Sequence, residues 1–177
     1  MEINNSNGLK LKGKKVFLQS VRKEDAGFIC ELRNNNKLNV YLNNKPISLK
    51  DQLEFQDTFL NNSSNYYFII KNLSGKSLGT VKMQINSDNE FTWGSWIINK
   101  GPVSAALESA MMIYEFAFFE KNLLKAVFDV RKDNISTISF HKKTGAIINS
   151  EDEANFYFSL KKDDYEKFRK KYWAFIR

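Results

Sequence analysis

Apolar and polar residues alternate from Lys15 to Val21 (KVFLQSV), which predicts a strand with one buried face. Tyr66 to Lys71 (YYFIIK), Ser77 to Ile85 and Phe91 to Ile98 (FTWGSWII) predict three more strands. Short turns at Leu73-Ser-Gly-Lys76 and Asp88-Asn89 join them, so the three form an antiparallel meander. Lys125 onward (KAVFDVRKDN) and Asn155 to Leu160 (NFYFSL) are the last two predicted strands.

Between the strands the period changes to that of a helix. Asp25 is a candidate N-cap for a helix through Leu32. Ser48-Leu-Lys-Asp51 resembles a capping box, with Asp in place of Glu or Gln. The helix it opens places Leu49, Leu53, Gln56 and Leu60 on one face, and Phe55 and Phe59 on an adjacent one. A long helix starts at Ala105–Ala106 and runs to Glu120. Leu107, Ala110, Met111, Tyr114, Ala117 and Phe118 form one stripe, and Met112, Ile113, Phe116 and Phe119 fill most of the remainder. A helix that apolar must be covered on nearly all sides. A short helix, Asn134 to Thr144, ends at Gly145, and a terminal helix starts at Asp163. The order β-α-α-β-β-β-α-β-α-β-α predicts an α+β fold, a mixed, mostly antiparallel central sheet flanked by helices.

With 177 residues, a single domain over 15–177 is expected, preceded by a polar, flexible segment 1–14. No apolar run is long enough to span a membrane, and the N-terminus lacks the apolar core of a secretory signal. The single cysteine, Cys30, excludes an internal disulfide framework and fits a cytoplasmic chain. The net charge of +7 favours an anionic ligand: nucleic acid, an acidic membrane surface, coenzyme A or a nucleotide sugar. No nucleic-acid-binding motif accompanies the charge, and no ligand cluster calls for a metal.

The segment most suggestive of chemistry is Phe91 to Ala146. A strand with two tryptophans runs into the loop NKGPVSAAL, which opens the long apolar helix. Backbone amides of Val103, Ser104, Ala105, Ala106 and Leu107 converge at that helix N-terminus among small side chains, which suits a phosphate. The plain alternative is an ordinary small-residue cap. Together with the opening FLQSVRKEDA (Phe17 to Ala26), the strand GSWII, the helix containing Leu107-Glu108-Ser109-Ala110, and Asn134 followed by His141 and Gly145-Ala146, this order resembles the GNAT N-acetyltransferase superfamily, in its RimJ/RimL-like branch. The loop departs from the family pattern: its basic or glutamine residue is missing, and Ser104 replaces the first glycine.

The resemblance implies acetyl-CoA as co-substrate, no metal, and direct attack of an amine on the thioester. Val103 to Leu107 would hold the pyrophosphate, and the backbone near Ile97 and Ile98 would hold and polarise the thioester. Asn134 would contact the acetyl-CoA arm, or serve only as an N-cap. His141 falls where the family has a tyrosine that protonates the departing thiolate; imidazolium could do the same, or neutral imidazole could take the amine proton. The family's strand glutamate is replaced by Thr92. Glu90, on the same face, is a candidate base acting through water, or a solvated turn residue. Trp93 and Trp96, three apart, are expected on opposite faces, one in the core and one flooring an acceptor pocket, with Tyr41 as a further stacking surface. Asp129 and Arg131 share a strand face and are expected to pair or be solvated. The acceptors considered are an amino sugar on a nucleotide carrier, a protein N-terminus and a polyamine. A non-catalytic acyl-CoA-binding module on the same fold is the rival reading. A monomer or homodimer is expected.

Overall fold

The computed structural model describes residues 8–42 and 45–176; residues 1–7 of the N-terminal segment and Asn43 and Asn44 of the Asn-rich loop lie outside them. Eight strands form one sheet: β1 (Lys10–Lys12), β2 (Val16–Ser20), β3 (Asn65–Asn72), β4 (Ser77–Ser87), β5 (Glu90–Ile98), β6 (Lys125–Arg131), β7 (Ile147–Glu151) and β8 (Asn155–Lys161). Their order across the sheet is β1-β2-β3-β4-β5-β6-β8-β7. Every neighbouring pair is antiparallel except β5–β6, which is parallel. The helices are α1 (Ala26–Asn34), α2 (Leu49–Leu60), α3 (Ala105–Glu115), α4 (Ile135–Thr144) and α5 (Lys162–Tyr172). The expected α+β class and mixed sheet are therefore found.

Alternation along β3 sorts the two layers. Phe68 and Ile70 join the main core with α3, α4 and α5 residues, while Tyr67 and Ile69 join Val21 and Ile29 on the α1–α2 side. The parallel β5–β6 pair is bridged by α3, which is buried almost throughout, as its all-round apolar sequence requires. Its last turn widens into a π-helix, Phe116–Glu120, closed by the Lys121 amide donating to the Phe116 carbonyl at 2.9 Å.

Four local expectations need correction. Residues 8–14 do not form a flexible tail: Lys10–Lys12 adds an edge strand, with Leu11 opposite Leu18 and fully buried. One buried apolar residue in three gives too little pattern to find. Strand β7 was missed for the same reason, since all five of its residues are exposed and its strand partner is β8 at the sheet edge. Helix α2 starts at Ser48 with the capping box intact, Asp51 N–H donating to Ser48 Oγ and Ser48 N–H to Asp51 Oδ2, both at 3.1 Å. It is rotated from the expected face. Gln52 and Gln56 are buried and Leu49 is 54% exposed, because Phe55 and Phe59 stack and lie edge-on to Tyr67. Asp25 does not cap α1 with its side chain; its Oδ2 accepts from the Arg22 amide at 2.8 Å and closes a 3₁₀ turn ahead of the helix.

Two buried carboxylates fix α3. Glu108, fully buried in its first turn, accepts from the amides of Lys15 (2.7 Å) and Val16 (3.2 Å) through Oε2, and from Ser104 Oγ through Oε1 (2.5 Å). It ties the start of α3 to the β1–β2 turn. A Cβ at Gly13 would come within 2.8 Å of Glu108 Oε2, so the turn must carry a glycine there. Glu115, at the other end, accepts from Tyr165 Oη (2.9 Å) and Arg169 Nε (2.8 Å) and pins α5 to α3. Replacing Glu108 by Ala leaves two β1–β2 amides without an acceptor. We expect Glu108→Ala to lower stability by roughly 2 kcal/mol at an unchanged urea m-value; a loss below about 0.5 kcal/mol would show that the turn is held by other contacts.

Candidate active site

The sheet stops pairing where β5 and β6 should continue together. Only Glu90 and Phe91 pair with Lys125 and Ala126. Beyond that, β5 stays on β4 as far as Ile98 and β6 stays on β8 as far as Arg131, so the two strands diverge. Within the gap, β5 carries a bulge. Thr80 faces Ile97 and Lys82 faces Gly94, so Ser95 and Trp96 both stand opposite Val81. Ser95 holds φ at +48°, and its carbonyl accepts from Thr80 Oγ1 at 3.3 Å. Close packing keeps this bend in place, because a Cβ at Gly79 would overlap the Ile97 carbonyl.

The bulge corrects the expectation for the tryptophans. The extra residue restores Trp96 to the face of Trp93, and the two rings lie 5.5 Å apart on the α3 side. Trp96 Nε1 donates to Ser109 Oγ at 3.0 Å, while the buried Trp93 packs on Tyr114, Phe128 and His141. Strict alternation, the rule used on the sequence, fails at a bulge.

A cleft of about 450 Å³ opens at the divergence. Its lining brings together Tyr41, Trp93, Trp96, Asn134 and His141, all singled out from the sequence. It adds Lys82, Thr92, Asp129 and Arg131. Asn134 caps α4, its Oδ1 accepting from the Thr137 amide at 3.3 Å, so the capping role is met at a position that also faces the cleft. Arg131 pairs with Asp133 through two contacts of 3.1 Å. Asp129 is the one carboxylate lining the cleft among the described residues.

Glu90 does not line this cleft. It sits at the paired end of β5, bonded to Lys125 Nζ at 3.1 Å, in a separate surface groove. Two residues of separation on one strand face were enough to carry it away from the divergence.

His141 lies at the floor of the cleft and is 4% exposed. Phe128 is stacked 4.2 Å away, Trp93 and Phe140 stand edge-on, and Tyr114 Oη lies 3.4 Å from Nδ1. Among the described residues, no carboxylate is bonded to the ring. Burial among these rings pushes its pKa down from 6.5 to about 3, so the imidazole is neutral at physiological pH. This environment disfavours the imidazolium acid, one of the two roles left open by the sequence. The ring remains a neutral donor and acceptor, linked to a Tyr114 hydroxyl whose own pKa is raised by burial.

The loop before α3 is part available and part spent. Ala105 N–H donates to the Pro102 carbonyl at 2.9 Å and Glu108 N–H to that of Ser104 at 2.8 Å. Ala105 is buried, so it is not one of the amides open to a phosphate. The Ser104 hydroxyl proton is likewise committed to Glu108. Ala106 and Leu107 keep first-turn amides with no backbone acceptor, and Val103 is fully exposed beside them. On β5, Asn99 N–H donates to the Leu78 carbonyl at 2.7 Å. Alternation then puts the Ile97 amide in the β4 ladder and turns the Ile98 amide to the open side. Of the expected pair, Ile98 is the one free to meet a ligand backbone group.

Lys82 is the residue that sequence reasoning missed most plainly. It lies on β4 opposite Gly94, and its ammonium stands 4.6 Å from the Phe55 ring centre and 5.5 Å from that of Phe59. Burial, then the nearby Arg33 charge, lowers its pKa to about 8. A lysine in an alternating strand reads as a solvated position, and only the fold puts aromatic residues of α2 over it.

Residues 15–147 match the acetyltransferase (GNAT) domain family. Comparison with curated proteins finds no match. Among solved structures, the apo form of FdhC, a nucleotide-linked sugar GNAT, superposes with a TM-score of 0.86 at 37% identity, covering 96% of this chain and 99% of its own. A GNAT-family acetyltransferase from Bacillus anthracis gives 0.75 at 13% identity over 88% of this chain and 99% of that one. The spermidine N-acetyltransferase of Vibrio cholerae, in complex with CoA and spermine, gives 0.74 at 15% identity over 86% and 98%. At these lower identities the likeness is one of fold alone. The chain belongs to the GNAT acetyltransferase family, an N-acetyltransferase fold whose acyl donor is acetyl-CoA.

The neutral His141 carries a consequence for stability. Its folded pKa is about 3 against 6.5 unfolded, so the unfolded chain binds a proton that the folded chain refuses between those values. Stability is fully present above pH 6.5 and is lost as pH falls towards 3. We expect the urea midpoint to fall between about pH 7 and pH 5, with a slope approaching 1.4 kcal/mol per pH unit, and His141→Asn to flatten that slope. Equal slopes in the two proteins would mean that the ring can be protonated in place.

Proposed function

We propose that this GNAT acetyltransferase moves the acetyl group of acetyl-CoA to the primary amine of an amino sugar carried on a nucleotide. The observation that carries this reading is the lining of the cleft. Lys82 enters it without a salt-bridge partner among the described residues, Arg131, paired with Asp133, also lines it, and Tyr41 and Trp96 add ring surface. An anionic, ring-bearing acceptor meets the Lys82 charge and stacking surface there; a polyamine meets that same cation, with Asp129 as its counter-charge. The 37%-identical FdhC, a nucleotide-linked sugar GNAT, supports the same class. A protein N-terminus remains the second acceptor to test. The opening Phe17 to Ala26 favours a RimJ/RimL-like origin for the domain. The unpaired Cys30 fits a cytoplasmic setting, with the chain acting as monomer or homodimer.

The proposed chemistry needs little beyond positioning. Acetyl-CoA is received with its phosphates at the amides of Ala106 and Leu107 and its thioester at the open edge of β5. There the Ile98 amide donates to the carbonyl oxygen as negative charge develops on it. The amine nitrogen attacks the carbonyl carbon, a C–N bond forms and the C–S bond breaks. Asp129, the carboxylate of the cleft, takes the proton released from the amine, directly or through water. The departing thiolate accepts a hydrogen bond from the neutral His141 ring, which keeps its proton, and the sulfur is protonated from solvent. With Tyr114 Oη donating to Nδ1, the Nε2–H is left to serve the sulfur.

Because this donation acts in the transition state, His141→Ala should lower kcat by roughly 10²-fold and leave acetyl-CoA affinity unchanged. The wild-type pH–rate profile should show no limb belonging to His141 near its ordinary pKa of 6.5. A variant with full kcat would reduce His141 to a packing residue. The acceptor is tested by a specificity ratio, kcat/KM for nucleotide-linked 3-amino and 4-amino sugars against N-terminal peptides and polyamines. The sugars should win. A peptide exceeding every sugar would overturn the acceptor while leaving the acetyltransferase.

A further inference from the structure

A second cavity, of about 240 Å³, lies on the α1–α2 side of the sheet and touches the catalytic cleft through one shared side chain, Lys82. Its lining is Arg33 from the last turn of α1, Ile47, Asp51, Gln52 and Phe55 from the start of α2, and Lys82 from β4. Three features of this lining point to an anion. Arg33 and Lys82 bring two positive charges to one small space, and neither forms a salt bridge among the described residues. Lys82 is instead held by the faces of Phe55, Phe59 and Tyr67, which fix its ammonium without cancelling its charge. Gln52 is 3% exposed and its side-chain Nε2 has no acceptor, although a buried amide donor is costly to leave unpaired.

The one carboxylate lining the cavity, Asp51, offsets only one of the two positive charges. Asp51 Oδ2 is committed to α2's own start, accepting from Ser48 N–H at 3.1 Å and Ser48 Oγ at 2.7 Å. That leaves a net positive cavity with a spare buried donor, opening beside a cleft that holds the acyl-transfer machinery.

We propose that this cavity is the diphosphate subsite of the acceptor: Arg33 and Lys82 bind the phosphates of a nucleoside diphosphate sugar, Gln52 Nε2 donates to a phosphate oxygen, and the sugar extends past Lys82 to His141. The inference rests on the nucleotide-sugar reading of the cleft and adds to it where the charged carrier is held. It also gives Lys82 a task. A cation depressed by burial gains most from a desolvated dianion, and its placement between the two cavities sets the distance from the diphosphate to the amine.

The test uses the full chain and three probes, uridine 5′-diphosphate, thymidine 5′-diphosphate and inorganic pyrophosphate, titrated calorimetrically into wild type, Arg33→Gln, Lys82→Gln and Gln52→Leu. Acetyl-CoA titration serves as the check that each variant is folded, since none of these residues lies at the α3 loop. At least one nucleoside diphosphate should bind wild type, and bind at least tenfold more weakly in Arg33→Gln and in Lys82→Gln, with a smaller loss in Gln52→Leu. KM for a nucleotide-linked amino sugar should rise in parallel. If nucleotide-linked sugars are acetylated but the Arg33 and Lys82 variants keep the wild-type KM and diphosphate affinity, the subsite is wrong and the acceptor class stands. If no diphosphate binds and no nucleotide-linked sugar is acetylated, both are wrong. Pyrophosphate binding as tightly as the nucleoside diphosphates would mark a site for a free anion and would also overturn the proposal. Should Lys82→Gln fail the acetyl-CoA check, Arg33→Gln decides alone.

Discussion

Two residue pairs hold β5 against β6, and the site depends on there being no third. Where the strands part, a stretch of backbone that a continuous sheet would have paired is left facing inward. Unpaired backbone groups inside a protein are costly, so such an edge persists only where something else is held in their place. Each side of the gap is paired elsewhere, β5 on β4 and β6 on β8. Ser95, at a positive φ, and the bulge it forms turn the Trp96–Ile98 segment into the gap. Backbone strain of this kind is kept by the packing around it, here the contact of Gly79 with the Ile97 carbonyl.

Everything that could do chemistry is placed relative to that gap. Helix α3 crosses from β5 to β6 and brings its first-turn amides to the end of β5, with Glu108 locking its start to the β1–β2 turn. Helix α4 follows β6 and delivers Asn134 and His141. Helix α2 lies on the opposite face and surrounds Lys82 with aromatic rings. Burial then decides what each group can do. It favours the neutral His141 ring over the imidazolium, and it lowers the pKa of Lys82, which has no salt-bridge partner among the described residues.

The order of elements was legible in the sequence wherever an apolar pattern had length to declare itself. Strands β2 to β6 and β8 carry apolar stretches long enough to read as strands, and α3 could only be a covered helix. Elements β1 and β7 have one buried residue or none among three and five, and escape any periodicity argument. For the site, the residues near a shared motif were legible: His141, Asn134, Tyr41 and both tryptophans do line one cleft. What was illegible depends on geometry that alternation cannot express. A bulge moves Trp96 to the face of Trp93, and the divergence of β5 from β6 excludes Glu90 from a cleft that Thr92, two residues on, enters. Lys82 and Arg33 are far apart in sequence, and neither carries a local signal. The overall +7 charge pointed to an anionic partner without saying where, and the local answer comes from two of the chain's 27 lysines and arginines.

The most direct measurement is a crystal structure of the chain with coenzyme A bound. The expected result is a pantetheine arm lying along β5 in the gap beyond Phe91 and Ala126, its amides paired with the open edge near Ile98, its thiol within reach of His141, and its pyrophosphate on the amides of Ala106 and Leu107. A coenzyme seated elsewhere, with β5 and β6 still unbridged, would contradict the assignment of the gap as the place where acyl donor and amine meet.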